Sequence, residues 1–196
     1  EERGMYFGRW LRNHDYCRST WTMNTGIAAG MKTAVWFICG PWHPHNPGAF
    51  NTNDVLCVIG RDYQKLWPEI GKIGRPVKIF STPSTARNIK RTPSDPDIPI
   101  GVAIPADFPI QVKNGEVLFG HFRYPDGTDA LYMANHQFFA PQDIALEVKK
   151  GLTLEMFDRQ TGEWKNLEPA EGLIKLRMLG ASGELLRVTG GKLPTP

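Results

Sequence analysis

The residues best suited to chemistry fall in one short stretch, Cys39-Gly40-Pro41-Trp42-His43-Pro44-His45. Trp42 offers a large, rigid, amphipathic face with a single N–H donor. Such a face can cover the C–H side of a pyranose ring, or it can simply pack a loop against a neighbouring domain. Pro41 and Pro44 stiffen the backbone on both sides of it. His43 and His45 stand two residues apart, where they can donate to hydroxyl groups, join a metal site, or sit unused on a surface loop. A zinc site needs three or four ligands, and no third His, Cys or carboxylate stands beside them in a ligand pattern. The expectation is therefore no metal and no cofactor.

Other motifs are weaker. No glycine-rich phosphate loop is present, and Ser182-Gly183-Glu184 lacks the G-x-S-x-G frame of a nucleophile elbow. Asn51, Asn53 and Asp54 end the long loop and read as helix caps. Cys17, Cys39 and Cys57 are odd in number and spaced 22 and 18 apart, which fits neither a disulfide framework nor paired zinc ligands. They read as buried free thiols.

The elements that would have to position Trp42 can be read from periodicity. Residues 17–31 carry Trp21, Met23, Ile27 and Ala28 without a proline, which predicts a helix that Gly30 can end. Thr33-Ala-Val-Trp-Phe-Ile-Cys39 has no charge and is rich in branched and aromatic types. Such a run predicts a strand buried on both faces, in the manner of a parallel sheet, with Trp42 just past its end. Tyr63, Leu66, Trp67, Ile70 and Ile73 recur at helical spacing, with Pro68 as a kink or restart and Gly74 as the stop.

Residues 81–109 hold six prolines, which forbid a helix or a central strand and predict an ordered crossing segment with at most an edge strand. Beyond them the grammar changes to short alternating runs. Residues 116–124 and 130–138 flank Pro125-Asp126-Gly127-Thr128, and residues 154–158 and 163–167 flank Arg159-Gln-Thr-Gly162. Both are hairpin signals. With further strands at 144–148, 173–178 and 184–188, the stretch 110–196 predicts an antiparallel β-sandwich.

Composition narrows the partners. The 196 residues are 41% hydrophobic and 22% charged, as in a folded globular chain. Lys and Arg total 23 against 20 Asp and Glu. A net charge of +3 with no basic run argues against nucleic acid or a membrane surface as partner. The sequence has no stretch of 18 apolar residues that would span a bilayer, and its first residues, Glu1-Glu2-Arg3-Gly4, do not resemble a signal peptide.

Taken together, Ile27-Ala-Ala-Gly-Met-Lys-Thr-Ala-Val-Trp-Phe-Ile38 and Arg61-Asp-Tyr-Gln-Lys-Leu-Trp-Pro-Glu-Ile-Gly-Lys-Ile-Gly74 resemble the last strand–helix steps of a (β/α)8-barrel glycoside hydrolase. Asp129-Ala-Leu-Tyr-Met-Ala-Asn135, Leu154-Glu-Met-Phe-Asp-Arg-Gln-Thr-Gly162 and Gly183-Glu-Leu-Leu-Arg-Val188 resemble the small β-sandwich appended to such barrels. The likeness spans 16–80 and 115–190 and contains no invariant signature. It implies an α/β part at 1–80 holding the last units of a barrel, the proline-rich segment 81–109, and a supporting sandwich at 110–196.

Further expectations rest on that resemblance. The chain would be the C-terminal fragment of a hydrolase acting on O-glycosidic bonds, secreted or periplasmic, with a carbohydrate substrate. Its partner would be the missing N-terminal part of the barrel. Trp42 would lie under the sugar, with His43 and His45 beside it. Glu1 and Glu2 stand about where a seventh-strand carboxylate would fall, and His14 and Asp15 lie in the loop that follows. Retaining enzymes need two carboxyl groups about 5–5.5 Å apart, and the strand that carries the other one is missing here. The fragment by itself is expected to be inactive. The alternative is a non-catalytic β-sandwich module that binds carbohydrate or protein.

Overall fold

The computed structural model describes residues 20–21, 23–32, 50–51, 55–56, 63–83, 101–137 and 140–194. Within them the chain is built from strands, arranged as two facing sheets with helices laid on the outside of the larger one.

The centre of the large sheet is a hairpin, β6 (Val117–Arg123) and β7 (Asp129–Asn135), in the register Arg123↔Asp129 to Val117↔Asn135. Its turn is the Pro125-Asp126-Gly127-Thr128 segment. There Asp126 Oδ1 accepts from Thr128 N at 2.8 Å, and Gly127 has φ +86°, a conformation that side chains other than glycine's resist. β12 (Gly183–Thr189) lies beside β7, followed by β9 (Thr153–Phe157) and β10 (Trp164–Leu167). On the other side come β3 (Lys78–Ser81) and the two-residue edge strand β4 (Val102–Ala103), which runs parallel to β3. The small sheet has the order β11 (Leu173–Met178), β8 (Gln142–Val148), β5 (Ile110–Asn114). All contacts among the eight strands β5 to β12 are antiparallel. A separate short ladder pairs β1 (Phe50–Asn51) with β2 (Val55–Leu56).

Strand alternation sorts side chains into two cores. Between the sheets, Phe119, Leu131, Met133, Leu154, Leu186 and Val188 meet Ile110, Ile144, Leu146, Ile174, Leu176 and Met178. On the other face of the large sheet, Leu118, Phe122, Ala130, Tyr132, Ala134 and Leu185 meet the helices. The first helix, α1 (20–21 and 23–28), presents Met23, Ile27 and Ala28. The second, α2 (Leu66–Lys72), presents Leu66 and Ile70. Pro68 falls in the first turn of α2, where the missing N–H costs nothing. Lys32 Nζ donates to the carbonyls of Ile70 at 2.8 Å and Ile73 at 2.6 Å, closing the carboxyl end of that helix. No helix among the described residues is long and apolar enough to cross a membrane.

This architecture corrects the barrel expectation. Among the described residues there is no succession of strand–helix units closing on itself. The stretch assigned to the end of a barrel instead contributes α1, α2 and β3 to the sandwich, the helices as a covering layer and β3 as a strand of the large sheet. The sequence resembled barrel steps because a helical layer also buries a sheet on both faces. β7 is buried at all seven positions although both its neighbours are antiparallel. Burial on both faces therefore does not require a parallel sheet. The strand expected at 33–39 lies outside the described residues.

Gly120 lets α1 approach the sheet. A Cβ there would overlap the carbonyl oxygen of Ala28 and the ring of Phe122. The carbonyl belongs to a helix and cannot rotate away. Gly120→Ala should therefore cost at least about 1–3 kcal/mol, the usual range for overpacking. A urea titration measures this, and a midpoint equal to wild type would mean that the helix can slide.

Candidate functional site

The residues that sequence reasoning selected do not assemble into a described site. Glu1, Glu2, His14, Asp15, Trp42, His43, His45, Asn53 and Asp54 lie outside the described residues, as do the three cysteines. Asn51 is placed by its backbone in β1. Among the described residues no group of three or more His, Cys, Asp or Glu could hold a metal ion. The structure instead brings together two buried polar clusters and two surface features.

The first cluster centres on Asn24, which α1 holds at 0% exposure against the large sheet. Its amide nitrogen donates to Thr20 O at 2.9 Å and Ala181 O at 2.7 Å. Its amide oxygen accepts from Tyr63 Oη at 2.6 Å and Tyr132 Oη at 2.5 Å. Two donors and two lone pairs are all used. Arg159 lies 4.9 Å above the Tyr63 ring and 3.5 Å from Glu184 Oε2. Burial raises the pKa of both tyrosines, so they remain neutral donors. Burial also raises Glu184, against the pull of Arg159. Burial opposes the Arg159 charge, but Glu184 and the two tyrosines outweigh it and raise its pKa.

The second cluster lies in the core between the sheets. His121 Nε2 donates to Asp129 Oδ1 at 2.8 Å, and both side chains are 0% exposed. Arg123 donates to the same oxygen from Nε at 3.0 Å and Nη2 at 2.9 Å. The backbone N–H of Leu193 donates to Asp129 Oδ2 at 2.7 Å. Burial lowers the His121 pKa, outweighing the bond to Asp129. Burial would raise Asp129, but the donors from His121, Leu193 and Arg123 prevail and hold it below the usual carboxylate range. The pair is thus neutral imidazole and charged carboxylate.

Comparison with family models, curated proteins and solved structures finds no match. The chemistry of the clusters must therefore be judged from their geometry. A histidine beside a carboxylate can serve as a general base when a substrate reaches its free nitrogen. The free nitrogen here, Nδ1, is buried, and the Phe108 ring stands 6.3 Å from the imidazole. The two tyrosines are equally enclosed. The Asn24 cluster joins the helical layer to the large sheet, and the His121 cluster joins β6, β7 and the segment after β12.

The open features are shallow. On the outer face of the small sheet a depression of about 380 Å³ is lined by Asn114, Asp143, Ala145, Lys175 and Arg177, with Arg177 paired to Asp143 at 2.8 Å. At one end of the sandwich the Trp21 and His136 rings stack at 6.0 Å and 6°. Leu179 stands 69% exposed in the loop from β11 to β12. Burial lowers the His136 pKa.

The second cluster was within reach of the sequence. Once the Pro125–Thr128 turn fixes the hairpin register, Arg123 falls opposite Asp129, and His121 lies two residues along on the same face. The Asn24 cluster was not, because its tyrosines lie 39 and 108 residues away.

Proposed function

We propose that this chain acts as a non-catalytic β-sandwich module that holds a helical segment of its own chain in fixed register, as the accessory sandwich of a hydrolase of O-glycosidic bonds would. The observation that supports this reading is the Asn24 hub. It ties α1, Tyr63 ahead of α2, β7 and the loop before β12 into one saturated hydrogen-bond set. A network of that kind fixes a layer in one arrangement. The exposure of the acid–base candidates points the same way, since His121, Asp129, Tyr63 and Tyr132 are each no more than 2% exposed.

The test uses the full chain. Aryl glycosides incubated with it should show no turnover above buffer. Thermal unfolding followed by far-ultraviolet and tyrosine signals should give one coincident transition, as a single cooperative unit requires. Measurable turnover would refute the non-catalytic assignment, and separate transitions would refute the holding role.

A further inference from the structure

We propose that His121 and Asp129 form an acid-sensitive latch that holds the carboxy-terminal strap, residues 190–193, against the sheet and releases it when His121 takes up a proton. The strap follows β12 and reaches the core between the sheets. Leu193 is buried there among the core side chains, and its N–H is bonded to Asp129 Oδ2. Gly190 and Gly191 lie against Gly151 and Leu152. Asp129 is the common partner of the strap and of the imidazole, one through each oxygen.

The imidazole fits this place only when neutral. Its Nε2–H is spent on Asp129, and Nδ1 is buried without a hydrogen-bond partner among the described residues. A proton added to Nδ1 would be a buried donor with no acceptor, a state that costs several kcal/mol unless water reaches it. Of the charges around it, Asp129 favours a cation and Arg123 opposes it, and burial outweighs Asp129. Arg123 on β6 already shares the Asp129 oxygen, Lys78 stands opposite His121 on β3, Lys192 lies in the strap, and Asp107 adjoins Phe108. Asp129 on β7 is the only carboxylate bonded to the ring among the described residues. Water must therefore enter, and two covers stand over the pair: the strap at Leu193 and the loop at Phe108. The strap is the weaker. The Phe108 ring packs tilted against Phe80 at 4.7 Å, and its N–H is bonded to Pro105 O at 3.0 Å. The lowered His121 pKa agrees with this geometry.

The sign follows from linkage. A histidine depressed in the folded state stabilises the closed form above its free pKa of about 6.5, and that contribution is lost as pH falls below it. One proton taken up on opening increases the open fraction by up to about tenfold per pH unit in that window.

Hydrogen exchange read by mass spectrometry between pH 7.5 and 5, corrected for intrinsic rates, tests this on the intact chain. Amides of 190–193 should lose protection by about that factor per unit below pH ~6.5, while those of β7 stay protected. In the same protein, nitrogen NMR of the His121 ring should titrate with the same midpoint. His121→Gln, which keeps a donor toward Asp129 and cannot titrate, should hold the strap closed across the whole range. Loss of protection first at 105–110, a strap insensitive to pH in wild type, or an NMR midpoint that differs from the opening midpoint would each overturn the latch, whether or not the Gln variant folds.

Discussion

Asn24→Leu should destabilise the protein by about 3–6 kcal/mol, a large part of the 5–15 kcal/mol typical of a whole domain. Leucine keeps the branched outline of asparagine, somewhat enlarged, but has no polar atoms. Its introduction strands the Tyr63 and Tyr132 hydroxyls and the Ala181 carbonyl in a region from which water is excluded. Each buried polar group left without a partner costs about 1–3 kcal/mol. Chemical denaturation should show a lower midpoint with an unchanged slope, the mark of a stability change alone. The attribution can be checked in the background Tyr63→Phe/Tyr132→Phe, where the hydroxyls are gone. There Asn24→Leu should cost at least 2 kcal/mol less, because contacting residues are strongly coupled. An equal cost in both backgrounds would mean that the effect comes from the shape of the helix–sheet contact.

How much of this was legible in the sequence depends on the range of the interaction. The two hairpin turns and the strands around them follow from alternation and from Pro, Asp and Gly at the turn positions. They lie within three residues of where those signals put them: β6 and β7 around Pro125–Thr128, β9 and β10 around Arg159–Gly162. The helical spacing of Leu66 and Ile70 likewise marks α2. What alternation does not encode is which layer covers which. A strand buried on both faces has the same composition under a helix in a barrel and under a helix laid on a sandwich, and the resemblance to barrel steps rested on that shared pattern. The candidate site is a separate matter. Trp42, His43 and His45 are marked by their place just past an uncharged run and by the chemistry of indole and imidazole, and they lie outside the described residues. The buried polar residues of the described fold differ in range: Asn24 takes its partners from other layers, whereas His121 and Asp129 pair across a single hairpin.

Asp129→Ala should cost about 3–5 kcal/mol, the range for removing one partner of a buried charged pair. The loss has unequal parts. Arg123 has a third of its side chain in solvent and can turn outward. His121 and the Leu193 N–H cannot, because both are sealed in the core. Asp129→Asn should recover little. With the amide oxygen toward His121 and Arg123, its NH2 group opposes the Leu193 N–H. With the amide reversed, the NH2 faces His121 Nε2 and Arg123. The imidazole could accept only by moving its proton to Nδ1, where no acceptor waits. A charged carboxylate with an oxygen for each side is what the site needs. The pH dependence follows the same logic. A carboxylate held below its free pKa of about 3.9 contributes stability above that value, and the contribution is lost as pH falls toward the folded pKa. In Asp129→Ala that acid limb should shrink, whereas the limb that begins near pH 6.5, where His121 must charge, should remain. Denaturation midpoints measured from pH 7 to 3 separate the two, and an Asp129→Ala profile parallel to wild type below pH 4 would show that this carboxylate is not what acid acts on.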